Sequence, residues 1–345
     1  MRSFLMPVTG LGCLFALATT GCSTGSDGTS GAAPEPPGRN SSSPSASASG
    51  NASSGTSYAP YVSASDASAG DSAGSPGTYN LAFVISDGRS CTAKWNGTEA
   101  VDDAAVTSRI AALTASGATV RVSFGGASGK ELASSCDSAS ALAEAYGEAL
   151  DAAGSSRADF DIEGDELTDS ASVALRSKAI ALLQADRSDL EVSFTLPVMP
   201  SGLDDDGIAL LESANTYDVQ VSTVNLMTMN YGESYTGDMG SYAITSAKAA
   251  QRQLRNVFGT SDETAWKGMA LTSMIGTNDV DDETFTLSDA AQVREFAEEK
   301  GIAWVSMWAT FRDRQCEDGT DTADALTDCS GVAQSSGAFA EALAG

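Results

Sequence analysis

The chain has 345 residues, of which 42% are hydrophobic, and this is enough for one large domain or two small ones. Its net charge of −27 argues against binding of nucleic acid or anionic lipid through charge. It contains no histidine, which excludes Ser-His-Asp triads, histidine-ligated zinc and histidine general bases. Acid–base chemistry near neutral pH therefore has to come from Asp, Glu, Tyr, Lys or Cys.

The first segment of the chain is typical of an export signal. Arg2 precedes an apolar run, LGCLFALATTGC, that is too short to span a bilayer comfortably. The small residues before Cys22 resemble the lipobox of bacterial lipoproteins, although Thr19 stands where that pattern usually has Leu. We therefore expect a signal peptide over residues 1–21 and a cell-surface lipoprotein anchored at Cys22. Ordinary signal cleavage followed by secretion is the alternative.

The composition of the chain changes at Tyr58. Residues 22–57 are almost wholly Ser, Gly, Ala, Pro and Asn, and they lack the apolar content that offsets the entropy of chain ordering. This segment is expected to be a flexible linker. The remaining residues, 58–345, are predicted to form a single folded domain.

Four cysteines in this domain make an even number, which favours disulfides in an exported chain. Cys316 and Cys329 flank a short loop and are predicted to pair with each other. This leaves Cys91 to pair with Cys136. Because the sequence has no CxxC pair, a thiolate metal site is not expected.

Eight short apolar runs follow one another in the domain. They are YAPYV, YNLAFVIS, ATVRVSFGG, ADFDIEG, LEVSFTLPVMP, VQVSTVNLMTMNYG, KGMALTSMIG and AWVSMWATF. Stretches with helical spacing separate most of them, and the last, SDAAQVREFAEEKG, begins with Ser288 as a cap and ends at a glycine. Strands that alternate with helices pair in parallel, so eight units predict a closed (β/α)8 TIM barrel of the α/β class.

The region between Ser63 and Thr78 is the least typical of a barrel. It has few apolar residues, so the first helix is predicted to be weak, short or missing. A doubly wound sheet is the alternative fold. That fold would need a glycine-rich phosphate-binding turn after the first strand, and YAPYVSASDASAG contains no GxGxxG.

The fourth run, ADFDIEG, places three acids on one face of a strand. In a barrel Phe160 and Ile162 should face the helices, whereas Asp159, Asp161 and Glu163 should point inward. Glu163 should lie nearest the C-terminal mouth, where the active sites of barrels form. Carboxylates held close together force at least one to keep a proton near neutral pH, which a proton donor requires. The alternative is a strand whose acidic face is exposed to solvent, but the inner face of a barrel is not exposed to solvent.

These motifs resemble those of family 18 glycoside hydrolases, the chitinases and endo-β-N-acetylglucosaminidases. DFDIEG is similar to the end of the family's DxxDxDxE signature. Three further motifs of the family follow in the expected order. VSFGG (122–126) resembles its SxGG motif, NLMTMNYG (225–232) resembles its MxYD motif, and SMWATFRDR (306–314) resembles its last-strand Trp motif. The resemblance covers about residues 58–344 and implies a barrel enzyme that needs neither a metal nor a cofactor.

The resemblance also implies a retaining, substrate-assisted hydrolysis of β-1,4-linked N-acetylglucosamine. Glu163 would protonate the leaving oxygen, and Asp161 would orient the acetamido group that acts as nucleophile. Asp159 would share a proton with Asp161, and Trp308 would form the floor under the sugar. Further candidate substrate contacts are Asn230, Tyr231, Met227 and Tyr61, with core packing as the alternative for Met227 and Tyr61.

Three positions depart from the family's pattern. Ser156 replaces the first Asp of DxxDxDxE, Met229 replaces the Tyr of MxYD, and Asn230 replaces its Asp. Tyr231 is expected to substitute for the missing Tyr, because a period of two puts it on the same side as Met229.

The leading hypothesis is an exported, monomeric chitinase that binds chitin or N-acetylglucosamine oligosaccharides. One alternative is an endo-β-N-acetylglucosaminidase acting on the chitobiose cores of N-glycans. The other is a chitin-binding barrel without catalysis. The presence of Glu163 favours an enzyme, since binding relatives typically lose this glutamate.

Overall fold

The computed structural model of the protein describes residues 55–320 and 328–345. The predicted signal peptide (1–21), Cys22 and the predicted linker as far as residue 54 lie outside the described residues. Residues 55–57 are described, and the first strand already begins at Ser57. None of the helices in the described part of the chain has the length and apolar content that crossing a membrane requires.

Eight parallel strands form a closed barrel. The first has two segments, Ser57–Tyr58 and Tyr61–Ser63. The others are Thr78–Ser86, Thr119–Gly125, Arg157–Asp161, Glu191–Pro197, Val221–Met227, Met269–Met274 and Trp304–Trp308. Each coincides with one of the eight apolar runs and extends beyond it by no more than one residue at either end, so the predicted (β/α)8 fold is confirmed.

The barrel closes at the first strand. Ser57 and Tyr58 pair with the eighth strand, and Tyr61–Ser63 pair with the second. Pro60 lies between the two segments, where its missing N–H costs no ladder hydrogen bond. Asn80 binds both carbonyls of this bend, with Nδ2 donating to Ala59 at 2.8 Å and the backbone N–H donating to Pro60 at 2.9 Å.

Helices cover the outside of the barrel. The long ones are Ala104–Thr114, Ala139–Ala153, Ser170–Asp186, Asp205–Thr216, Met239–Phe258 and Leu287–Lys300. Shorter ones are Asp165–Thr168, Asp262–Lys267 and Ala338–Ala344, with 3-10 turns at Leu132–Ser134 and Thr310–Arg312. Residues 64–77 are all described and contain turns but no helix, which agrees with the prediction of a weak, short or missing first helix.

The connections that follow the second and seventh barrel strands contain short antiparallel strands. Ala93–Trp95 pairs with the second barrel strand and with Glu99–Ala100. Gly276–Thr277 pairs with Thr284–Phe285 after the seventh strand. These hairpins extend the rim on which the mouth of the barrel opens.

The helix Leu287–Lys300 begins earlier than the sequence predicted. Its N-cap is Thr286 and not Ser288. Asp289 decides this, because its backbone N–H donates to the Thr286 hydroxyl while its carboxylate accepts from the Thr286 N–H at 2.6 Å. The helix ends, as predicted, at Gly301, whose φ of +69° suits a residue without a side chain.

The apolar core lies between the barrel and the helices. Phe160 is fully buried, and its ring centroid lies 5.3 Å from that of Phe124, 5.0 Å from Tyr146 and 5.7 Å from Phe194. Ile162 is buried as well. Full burial of one such side chain contributes roughly 1.5–3 kcal/mol. Phe160 and Ile162 therefore face the helices, as the sequence predicted.

Both predicted disulfides are confirmed. Cys91 pairs with Cys136 and joins the connections that follow the second and third strands. Cys316 pairs with Cys329 after the eighth strand. Residues 321–327, between these last two cysteines, lie outside the described residues.

Candidate active site

Asp159 lies inside the barrel and accepts hydrogen bonds from four hydroxyl groups. Its Oδ2 accepts from Tyr61 at 2.9 Å and from Ser123 at 2.6 Å. Its Oδ1 accepts from Ser193 at 2.7 Å and from Thr195 at 2.8 Å. An ionised carboxylate is an acceptor only, so four donors satisfy it fully at a position that is 1% exposed.

The hydrogen bonds of Asp159 continue around the barrel. The Thr272 hydroxyl donates to Asn225 Oδ1, and Asn225 Nδ2 donates to the Thr195 hydroxyl, each at 2.9 Å. Sequence reasoning missed Ser193, Thr195, Asn225 and Thr272. The available signal was small polar residues at every second position of apolar strands, as in VSFT, which would have placed them inside the barrel.

Asp161 is the last residue of the fourth strand and is 6% exposed. Among the described residues, nothing hydrogen-bonds its buried Oδ1. Burial, together with the charges of Glu163 and Asp159, raises the pKa of Asp161 well above its usual range. When no substrate is bound, the protonated form of Asp161 is therefore favoured more strongly than that of an ordinary aspartate.

The third strand approaches Asp161 closely with its backbone. The N–H of Gly126 donates to the Asp161 carbonyl at 2.9 Å. A Cβ at Gly125 would lie 2.1 Å from the same carbonyl oxygen, and Gly125 has a φ of +104°. Only glycine permits this approach, so VSFGG fixes the position of Asp161 from the neighbouring strand.

Glu163 lies two residues beyond the fourth strand, at the mouth of the barrel. The N–H of Ile162 still donates to the Thr195 carbonyl at 3.0 Å, so the inward–outward alternation continues past the strand. Burial, followed by the negative charges of Asp279 and Glu166, raises the pKa of Glu163 to about 7. The carboxyl group of Glu163 is thus able to donate a proton near neutral pH.

An aromatic cluster adjoins the row of acids. Trp308 ends the eighth strand and is half-buried. Its ring stacks on Phe83 with centroids 5.5 Å apart, and it contacts Tyr61 and Phe311 at 5.9 and 5.7 Å. Tyr61 is 2% exposed, so it supports both Trp308 and Asp159 from within the core. Phe83 was missed by sequence reasoning, because nothing in YNLAFVIS separates it from core residues.

The segment after the sixth strand departs from a period of two. The strand ends at Met227, which is half-buried, and the alternation of a strand no longer applies to Met229 and Tyr231. Both are buried. The Tyr231 ring packs against Tyr235 and Tyr242 at 5.8 and 5.9 Å, within the core between barrel and helix. The structure therefore packs the ring of Tyr231 in the core, and its role as a substitute for the missing Tyr stays a prediction.

Asn230 is exposed and binds a loop residue that the sequence did not suggest. Its Nδ2 donates to Asp279 Oδ2, and its Oδ1 accepts from the Asp279 N–H, each at 3.1 Å. Ser156, the other polar departure from the family's pattern, lies before the fourth strand at the opposite end of the barrel. Its carbonyl accepts from the Glu191 N–H at 2.9 Å.

A cavity of about 520 Å³ adjoins Glu163. Its lining is polar and includes Lys130, Asp165, Glu166 and Asp169. The cavity lies among the connections that follow the third and fourth strands.

Comparison with known proteins places this geometry among chitinases. A scan of the chain against models of known protein families finds no match. The chain is 32% identical over 275 residues to a probable bifunctional chitinase/lysozyme of Escherichia coli strain K12, which covers 74% of this chain and 31% of that protein. It is 32% identical over 249 residues to Endochitinase 11 of Metarhizium anisopliae, covering 68% and 47% respectively. The chain thus spans about a third to a half of the length of these curated relatives.

Solved structures show the same fold. The catalytic domain of the hyperthermophilic chitinase from Pyrococcus furiosus matches with a TM-score of 0.72 and 29% identity, over 83% of this chain and 93% of that one. Catalytic-site mutants of active domain 2 of the same organism's chitinase, complexed with chito-oligosaccharides, match at 0.72 with 28% identity, over 83% and 92%. The described domain therefore has the fold of the catalytic domains of family 18 chitinases.

Proposed function

We propose that the protein is a chitinase that hydrolyses β-1,4-linked N-acetylglucosamine polymers or oligomers, with Glu163 as acid and base. The row of Asp159, Asp161 and Glu163 carries this proposal, because it ends in a carboxyl whose pKa is raised to about 7. The chitinases among the relatives, and the chito-oligosaccharides bound to the Pyrococcus domain, support the substrate class.

The first step is general acid catalysis by Glu163. Its proton passes to the glycosidic oxygen, which takes the electron pair of the breaking bond and leaves. The acetamido oxygen of the same substrate attacks the anomeric carbon and forms a positively charged oxazolinium ring. Glu163, now a carboxylate, removes a proton from the water that opens this ring, so the anomeric configuration is retained.

Asp161 and Asp159 stabilise the charge that develops. Asp161 has an acceptor oxygen without a partner among the described residues, and this oxygen is suited to the acetamido N–H. A positive charge on that group favours the ionised form of Asp161, which therefore gains charge as the oxazolinium forms. Asp159 lies one step deeper, fixed by its four hydroxyl donors, and its charge acts on Asp161.

Trp308 forms the apolar floor of the reacting sugar. One side of its ring stacks on Phe83, and its partial exposure leaves surface for a sugar. Contact with Tyr61 and Phe311 holds the ring in one orientation. Met227 ends its strand half-buried at the same mouth and adds an apolar contact.

We also propose that the protein is exported as a monomer and anchored through a lipid at Cys22. The sequence pattern of residues 1–22 and the polar linker after it support this. Cys22→Ala should move the protein from the membrane fraction to the medium. Membrane association that is unchanged in this variant would contradict the anchor.

A digest of the N-acetylglucosamine hexamer tests the proposed activity. We expect shorter oligomers whose newly formed reducing ends are β anomers. Glu163→Gln should abolish turnover and leave the circular dichroism spectrum unchanged. Cleavage of a high-mannose glycoprotein without cleavage of the hexamer would indicate an endo-β-N-acetylglucosaminidase instead. Binding to chitin beads without released sugar would indicate a barrel without catalysis.

A further inference from the structure

The connection between the first and second strands lies against the turn that follows Trp308. Residues 64–77 of this connection contain no helix and few apolar side chains. A Cβ at Gly70 would lie 2.7 Å from the carbonyl oxygen of Thr310, so the two backbones are in direct contact there. The connection is therefore packed on the chain that leaves the eighth strand, two residues beyond Trp308.

Asp71 is the buried carboxylate of this connection. Its Oδ1 accepts a hydrogen bond from the Thr310 hydroxyl at 2.6 Å. Its Oδ2 accepts from Arg109 Nη2 at 2.6 Å and from the Ser68 N–H at 2.8 Å. Arg109 belongs to the helix Ala104–Thr114, which follows the second strand. One carboxylate thus joins the connections that follow the first, second and eighth strands, and bonds of this charged kind are among the stronger hydrogen bonds.

Thr310 links Asp71 to the surroundings of the Trp308 ring. It is buried and begins the 3-10 turn Thr310–Arg312. The next residue, Phe311, contacts the Trp308 ring edge-on, with centroids 5.7 Å apart and planes at 85°. Arg312, at the end of the turn, donates from Nη1 to the Trp308 carbonyl at 3.3 Å. A shift of Thr310 would therefore move both a ring and a donor that contact Trp308.

The contacts of the Trp308 ring itself are apolar. Phe83, Tyr61 and Phe311 meet it ring to ring. Such contacts gain from burial and dispersion but are not directional, so they tolerate small displacements of the ring. A hydrogen bond restricts both distance and angle. The bond from Thr310 to Asp71 is therefore suited to fix the turn against which the ring packs.

We propose that Asp71 is a positioning residue for Trp308. Through the Thr310 hydroxyl it holds the turn that carries Phe311, and this turn sets the orientation of the Trp308 ring toward the sugar. The inference rests on the proposed function, in which Trp308 is the floor of the sugar site. It also gives a role to the connection in which the barrel has no helix. The loss of Asp71 should weaken sugar binding, because the ring would no longer be held in the orientation that the sugar needs.

Binding of the N-acetylglucosamine hexamer, measured by calorimetry in the Glu163→Gln protein, tests the inference. Asp71→Ala should raise Kd about three- to tenfold, the range expected when one aromatic contact is misaligned. Thr310→Val, which keeps the ion pair of Asp71 with Arg109, should raise Kd in the same way, whereas Thr310→Ser keeps the hydroxyl and should retain the affinity. Asp66→Asn, an equal charge change at an exposed position of the same connection, is the matched control and should leave Kd unchanged.

A double-mutant cycle with Trp308→Ala separates positioning from a general loss of structure. Asp71→Ala should raise Kd when Trp308 is present and leave Kd unchanged in the Trp308→Ala background. A merely structural role would lower the urea midpoint in both backgrounds without changing Kd in either, and this result would overturn the inference. Equal increases of Kd in the two backgrounds would overturn it as well, because Asp71 would then act on the sugar by another route.

Failure of the proposed function has a different signature. A wild-type protein that binds the hexamer through Trp308 but leaves it intact would overturn the proposed hydrolysis and leave the inference standing. An affinity that does not change in Trp308→Ala would overturn the role of the ring as the floor, and the inference with it. If Asp71→Ala does not fold, Thr310→Val takes its place in the binding measurement and in the cycle.

Discussion

Tyr61 on the first strand donates its hydroxyl to Oδ2 of Asp159 on the fourth strand at 2.9 Å. The ring of the same tyrosine lies 5.9 Å from that of Trp308. One side chain thus connects the deepest acid of the row to the ring that we propose as the floor of the sugar site. Burial and the charge of Asp159 raise the pKa of Tyr61 well above its usual range, so its hydroxyl remains a donor at neutral pH.

Tyr61→Phe keeps the ring and removes this donor. Asp159 then retains three of its four hydroxyl partners, and we expect a loss of about 1–2 kcal/mol in the free energy of unfolding. We also expect kcat to fall several-fold with little change in KM, because the charge of Asp159 is displaced while the ring of Trp308 keeps its position. Urea denaturation and hexamer kinetics measure the two effects. Ser193→Ala, which removes a donor to Oδ1, is the control for stability, and a wild-type kcat in Tyr61→Phe would contradict the link.

The acids at the mouth should make the folded state less stable as pH rises. The pKa of Glu163 rises from 4.5 to about 7 on folding, and that of Asp161 rises as well. The folded state therefore binds protons more tightly than the unfolded state. The resulting contribution to the free energy of unfolding is fully present below about pH 4.5 and is lost as pH rises through 7. Glu163→Gln should be more stable than wild type by about 1–3 kcal/mol at pH 8 and nearly equal at pH 4.5. Urea midpoints of the two proteins at both pH values measure this. A difference between Glu163→Gln and wild type that is the same at pH 8 and pH 4.5 would contradict the prediction.

Gly125→Ala should disrupt the row of acids from the neighbouring strand. The added Cβ would lie 2.1 Å from the Asp161 carbonyl, so the third and fourth strands would have to separate. We expect a loss of more than about 3 kcal/mol in the free energy of unfolding, or no folding at all. Gly154→Ala is the matched control, because its φ is also positive, at +62°, but its Cβ would meet open space. Gly154→Ala should lose only about 1–2 kcal/mol in the free energy of unfolding. Equal losses in the two variants would show that the positive φ, and not the close approach to Asp161, determines the loss at Gly125.

A buried ion pair near the acids should contribute far more than a surface pair. Arg176 donates to Glu131 Oε2 from Nη2 at 2.7 Å and from Nε at 3.1 Å, and Tyr146 donates to Oε1 at 2.5 Å. Glu131→Gln leaves a fully buried guanidinium without its counter-charge, which should cost about 3–5 kcal/mol. Asp262→Asn, which breaks the exposed pair with Arg255, should cost less than about 1 kcal/mol. Similar urea midpoints for the two variants would contradict this difference.

The fold was predictable because its signals are local. Apolar runs between helical stretches and glycine ends identify the eight strands without any long-range information. The same alternation correctly turned Phe160 and Ile162 outward. The start of the last long helix was missed because Thr286 and Ser288 are both good caps, and only the spacing to Asp289 selects Thr286.

The site was predictable only where its residues follow regular structure. The period of two that placed Tyr231 beside Met229 does not apply, because the strand has already ended at Met227. The partner of Asn230 is 49 positions away, in a loop whose path no local pattern fixes. The four hydroxyl donors of Asp159 come from three strands, so their convergence depends on the register of the closed sheet.

The closure of the barrel has a consequence for the order of folding. The first strand pairs with the eighth, and the Ser57 hydroxyl donates to the Ala303 carbonyl, 246 residues further along. Such distant contacts form late, because the loop between them has to be ordered first. Tyr61 and Trp308 lie on the two strands that meet at this junction. A partly folded chain would therefore hold its acids on the fourth strand before closure of the barrel brings Trp308 beside them.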